Sequence, residues 1–185
     1  MFMKNLLFSL MLFCLPELAY SQVFGTATVL KPGAVSLGVE PAVVNAGPAL
    51  FLQGGLGLIR GVEFGMEYGF QNNGNYLGAD LKWRLYSGLP RISITTGCHV
   101  MGNDFGLDGK FNISFPITHG AGLYTGVDTR LNFIDDPDKD AQLQGWIPVG
   151  VEIHIHHRLA FIFEAEIPLN NDSYSIIGGG LKLFF

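Results

Sequence analysis

Cysteine is nearly missing from this chain, with two among 185 residues, Cys14 and Cys98. Cys14 lies in an N-terminal run that reads as cleaved, so one thiol remains and no intramolecular disulfide can form. Charge is scarce too, at 15% of residues, and the net charge of −5 excludes the basic face that nucleic acid binding needs. No stretch reaches the roughly 18 to 20 consecutive apolar residues of a transmembrane helix. Yet 48% of residues are hydrophobic, and the chain holds 25 glycines and 15 phenylalanines. That much apolar surface requires lipid or a large core.

The first 21 residues account for part of the hydrophobicity. Lys4 gives a positive start, Leu6 to Leu15 an apolar run, and Ala19-Tyr20-Ser21 a small-x-small cleavage site. This pattern is a secretory signal peptide, with Gln22 as the mature N-terminus. Phe13 before Cys14 stands where a lipoprotein cysteine would follow a small residue. An exported apolar chain without membrane helices is a soluble β-rich protein or a transmembrane barrel.

Alternation with a period of two runs through the rest of the chain. In "VEFGMEYGF", Val62, Phe64, Met66, Tyr68 and Phe70 share one face, while Glu63, Gly65, Glu67 and Gly69 share the other. "YLGADLKWRL" and "GLYTGVDTRLNF" repeat the pattern. The polar face interleaves glycine with single charges, as a crowded concave interior would. Aromatic residues near segment ends (Tyr68, Phe70, Phe133, Phe161, Phe185) match interfacial girdles. Segments of about nine to eleven residues suit a tilted bilayer crossing better than a soluble sandwich.

The expected fold is therefore an all-β antiparallel transmembrane barrel, with short turns and both termini periplasmic. Ten segments can be marked: Ala34–Val44, Ala49–Leu58, Val62–Gln71, Tyr76–Tyr86, Arg91–Met101, Leu107–Phe115, Gly122–Phe133, Trp146–Ile155, Ala160–Leu169 and Ser175–Phe185. Eight strands is the alternative, if the first segment or one weak hairpin lies outside the wall. The domain reading is signal peptide 1–21, periplasmic lead 22–33 and barrel 34–185.

The signal peptide, the lead "TATVLKPGAVSLGV", the glycine-punctuated hairpins and the terminal "LKLFF" are similar to those of small bacterial outer-membrane barrels, with a lead and "YSQ" site like those of the Bacteroidota. The resemblance implies that the last strand is what the barrel assembly machinery recognises. Ile177, Gly179, Leu181, Leu183 and Phe185 match its outward stripe.

By alternation the lumen receives Glu40, Glu63, Glu67, Asp80, Asp108, Asp128, Glu152, Glu164 and Glu166. Against them stand Lys82, Arg84, Lys110, Arg130 and Lys182, with His99, His154 and His156 nearby. Charges in so narrow a space must pair, so a filled, closed lumen is expected. Glu152, His154, His156 and Glu164 could hold a transition metal from neighbouring strands, although cross-lumen Lys or Arg can neutralise the carboxylates instead. Asp136, Asp138 and Asp140 have the spacing of a calcium loop, but Ala141 replaces its glycine and Ile147 its bidentate glutamate.

No enzyme constellation is complete. His99 with Asp104 and Asp172 lacks the paired-carboxylate motif of the ten-strand omptin proteases, and Ser93 and His99 are too far apart in sequence for a lipid A deacylase. The outer connections are mostly short, which leaves little recognition surface. The expectation is a non-enzymatic outer-membrane barrel without cofactor, either structural or an accessory subunit of a larger envelope complex. Its partners would be outer-membrane lipids and the assembly machinery. A narrow solute pore, or a small-ligand or lipid binder using the lumen, are the alternatives.

Overall fold

The computed structural model describes residues 25–45, 47–71, 74–134 and 141–185. The expected signal peptide and the acidic triplet Asp136, Asp138 and Asp140 lie outside the described residues. Ten strands follow one another: β1 (Val35–Val44), β2 (Gly47–Ile59), β3 (Val62–Gln71), β4 (Tyr76–Tyr86), β5 (Arg91–Met101), β6 (Asp104–Pro116), β7 (Ala121–Phe133), β8 (Gln142–His156), β9 (Leu159–Pro168) and β10 (Ile176–Phe184). Each pairs antiparallel with its sequence neighbours, and β1 pairs with β10 to close the barrel. Ten strands in a closed ring thus replaces the eight-strand alternative. Both ends of the ring lie at one rim, called here the terminal rim.

Closure leaves no free sheet edge. The seam extends one residue past β10: Phe185 donates its N–H to the Val35 carbonyl at 2.9 Å, and Val35 donates back at 3.2 Å. Four strands run longer than the alternation suggests. β6 starts at Asp104 because Gly102, at φ 63°, allows a tight turn in which Met101 pairs directly with Asp104. β7 and β8 continue pairing to Asn132 and Gln142. The β2 ladder reaches Gly47 opposite Val44.

The wall is sided as the alternation implies. Leu37, Leu52, Met66, Leu77, Leu107, Val127, Val149, Phe163 and Leu181 face outward and are exposed. Glu40, Glu63, Glu67, Lys82, Thr95, His99, Asn112, Asp128, Arg130 and Glu164 face inward and are buried. Glycine makes this interior possible by giving large inward side chains room to lie across a neighbouring strand. Phe51 lies over its ladder partner Gly69, His99 over Gly106, and Tyr124 over Gly150. A Cβ on any of these glycines would collide with the ring above it.

Candidate functional site

The lumen is the place where chemistry-bearing side chains converge. At mid-height Lys110 and Asp128, ladder partners on β6 and β7, form an ion pair at 3.3 Å. One register step away, Arg130 Nε donates to Asp108 Oδ1 at 3.2 Å. The other oxygen of Asp108 lies 2.8 Å from His99 Nδ1, and His99 Nε2 lies 2.9 Å from Asn132 Oδ1. These charges are thus paired across adjacent strands, as a low-dielectric interior favours.

Toward the rim opposite the termini the lumen is capped by rings. The Arg130 guanidinium sits 5.1 Å from the Tyr76 ring centroid and 5.6 Å from that of Trp146. His99 stacks on Tyr76 at 5.2 Å. The β9–β10 connection folds over this layer. Trp146 donates its indole N–H to the Tyr174 carbonyl at 2.7 Å, and Gln144 donates to the Asp172 carbonyl at 2.8 Å. Gly145 donates its N–H to the Ser173 hydroxyl at 2.8 Å.

The other half is filled by the chain itself. Residues 25–30 were expected as a periplasmic lead, but they run inside the barrel, where Thr26, Ala27, Val29 and Leu30 are buried. Polar groups of the lumen hold this strap mainly through its backbone. The N–H of Gly25 donates to Glu164 at 3.1 Å, that of Ala27 to the Ser114 hydroxyl at 2.8 Å, and that of Leu30 to Glu63 at 2.8 Å. Arg84 donates to the Val29 carbonyl at 3.0 Å. At the rim the chain reverses over Pro32 and Gly33 (φ 78°), with Gly33 donating to the Gly57 carbonyl, and enters β1.

The alternation could not reveal the strap, because a short β-prone stretch looks the same beside a sheet as inside a barrel. Two signals pointed to it: a Pro-Gly reversal just before the first strand, and more lumen carboxylates than lumen cations. Backbone N–H groups from the strap satisfy two of those carboxylates, Glu63 and Glu164.

What space remains is small. A cavity of about 40 Å³ lies among Glu63, Glu67, Asp80, Lys82, Lys110 and Lys182. Two of about 10 Å³ lie near Asp108 and Lys110, one beside Glu67 and the other beside Glu166. Such volumes hold a few waters at most. Two larger spaces among the described residues are vestibules: about 510 Å³ at the terminal rim, between Arg91, Tyr124, Glu152 and the strap, and about 270 Å³ at the other rim, near Asp104 and Tyr174.

The candidate metal set does not assemble. His154 reaches Glu152 at 3.3 Å, but both histidines sit exposed at the terminal rim rather than in the lumen. A register shift between His154 and His156 ends regular pairing there, so His156 never joins the inward row. Glu152 faces Ile162 across the ladder, while Glu164 faces Gly150 and receives the strap. Among the described residues no group of three or more His, Cys, Asp or Glu side chains is arranged to hold a metal ion. Of the remaining network residues, Glu40 accepts from Gln53 at 2.9 Å, and Lys182 lies 5.9 Å from the Phe184 ring. Ser93 and His99 are both buried, with the two ring nitrogens of His99 engaged as described.

No family model matches the chain, and no curated protein matches it. One similar solved structure is described as "De novo design of transmembrane beta-barrels". The similarity covers 85% of this chain and 100% of that one, at 11% identity and a TM-score of 0.45. The likeness is one of overall shape, and what this barrel does has to be read from its own side chains.

Proposed function

We propose that this chain is a non-enzymatic integral outer-membrane barrel that serves as a structural component or accessory subunit of a larger envelope complex. The observation that carries this reading is an apolar exterior around a polar interior that is already full. Burying one Leu, Ile or Phe side chain is worth about 1.5–3 kcal/mol. A wall that leaves dozens of such residues outward is therefore costly in water and matched to a bilayer. Among the described residues the lumen is filled by ion pairs, stacked rings and the chain's own strap, which supports a plug rather than a conduit. With lumen and loops so occupied, the wall and rims are the surfaces left for partners.

In this reading residues 1–21 are removed on export, the terminal rim faces the periplasm, and the assembly machinery reads Leu181, Leu183 and Phe185 on the closing strand. The Bacteroidota-like lead and processing site support that setting. The test is purification of the mature protein from its native outer membrane, followed by planar-bilayer recording. Co-purifying envelope proteins and no steady conductance are the expected outcome. Steady ohmic conductance would instead establish the narrow-pore reading, and recovery as a soluble protein would end both.

A further inference from the structure

Among the described residues the two rims differ in the charges they carry. Among the described residues, every Lys and Arg outside the lumen sits at the terminal rim: Lys31, Arg60, Arg91 and Arg158. His119, His156 and His157 lie there too, all exposed. At the opposite rim the described charges are Asp104 and Asp172. Nothing in barrel closure requires this segregation, since a turn of either sign can join two strands.

The cations do not form a patch on one side. They are spread around the ring, and every turn of this rim carries an unusually exposed apolar residue. The β2–β3 turn carries Ile59 with Arg60, the β4–β5 turn Leu89 with Arg91, the β6–β7 turn Ile117 with His119, and the β8–β9 turn Ile155 with Arg158. The β10–β1 seam adds Phe185, and Lys31 lies close to Gly57 of β2. These five apolar side chains are the most exposed large hydrophobic residues described, at 62–74%, ahead of any on the wall between the rims. A turn that served only to reverse the chain would be polar.

We propose that the terminal rim is a collar for the headgroups of an anionic glycerophospholipid leaflet. Guanidinium groups match phosphate oxygens in a two-point fork. The neighbouring aliphatic side chains reach the acyl boundary just below, and Trp83 and Tyr86 lie on the same end of the wall, where interfacial aromatics belong. A leaflet surrounds the barrel completely, so it accounts for exposed apolar residues at all four turns and the seam of this rim, with an arginine at three of the turns. A docked acidic protein would account for one side. The inference rests on the membrane reading above and adds which leaflet chemistry the rim selects.

The test refolds the mature protein into phosphatidylcholine vesicles with and without phosphatidylglycerol. Insertion is scored by heat-modifiable gel migration, and stability by the temperature at which the compact band is lost. Phosphatidylglycerol should raise that temperature by about 5 °C at low ionic strength, and the gain should shrink in high salt. The triple variant R60Q/R91Q/R158Q should lose the gain, whereas D104N/D172N at the other rim should keep it. Insertion into both lipids with equal midpoints would overturn the collar and leave the ring to an acidic protein surface. A gain that persists in the triple variant would also overturn it. Failure to insert into either lipid would overturn the membrane reading, and the collar with it.

Discussion

The backbone N–H of Gly25 donates to the Glu164 carboxylate at 3.1 Å, across 139 positions of sequence, so the start of the described chain is anchored inside the barrel that the rest of it builds. Thr26, next along the strap, is 4% exposed, while Lys31 is exposed at the rim. In a Cys98→Ala background, Thr26→Cys should therefore resist a bulky membrane-impermeant thiol reagent that labels Lys31→Cys readily. Equal labelling rates would mean that the strap leaves the lumen in solution.

Lys110 and Asp128 are directly opposed on β6 and β7 at 3.3 Å and almost wholly buried. Lys110→Met leaves a buried carboxylate without its partner and should cost about 3–5 kcal/mol in denaturant unfolding. The double variant Lys110→Met with Asp128→Asn should recover most of that loss, because it removes the orphaned charge. Additive losses in the four-way comparison would show that the pair is not energetically coupled.

Tyr124 lies over Gly150, and an alanine there would drive its Cβ into the phenol ring. Gly150→Ala should destabilise the barrel by about 1–3 kcal/mol through overpacking. Gly54 faces outward with nothing within 4 Å of its missing Cβ, so Gly54→Ala should be close to neutral. Equal unfolding midpoints for the two variants would contradict the packing role of the inner glycines.

Leu81 sits mid-strand on the outer face, paired with Phe64 on one side and Thr96 on the other. If that face meets the bilayer core, Leu81→Arg should cost about 2–4 kcal/mol in vesicles. A harmless Leu81→Arg would place the residue away from lipid.

Phe185 completes the ladder to Val35 with two backbone hydrogen bonds. Its deletion removes both, and should lower the yield of heat-modifiable protein in cells more than Phe163→Ala on the same wall. Comparable yields would show that the terminal residue has no special part in assembly.

Much of the wall was legible from residue order alone. A strand has a period of two, and each segment met a polar, concave inside and an apolar outside, so the facing of Glu67, Lys82, Leu81 or Phe163 followed from parity. An even number of such segments also placed both termini at one rim. The ends of β6, β7 and β8 were less legible, since ladder pairing continues as long as a partner strand is available, and that depends on the neighbour.

The sequence by itself thus determined the class of fold, the inward and outward sets, and a lumen with too many carboxylates to be left open. Only the tertiary structure decided how those carboxylates are satisfied. Asp108 takes both Arg130 and His99, Glu164 takes the amide of Gly25, and His154 with Glu152 stays at the rim, apart from Glu164. The physical reason is that parity gives the side of a strand but not the angular position around the ring or the height along it. Both are set by register and closure, and hydrogen bonds and ion pairs act only over the few ångströms that register and closure bring together.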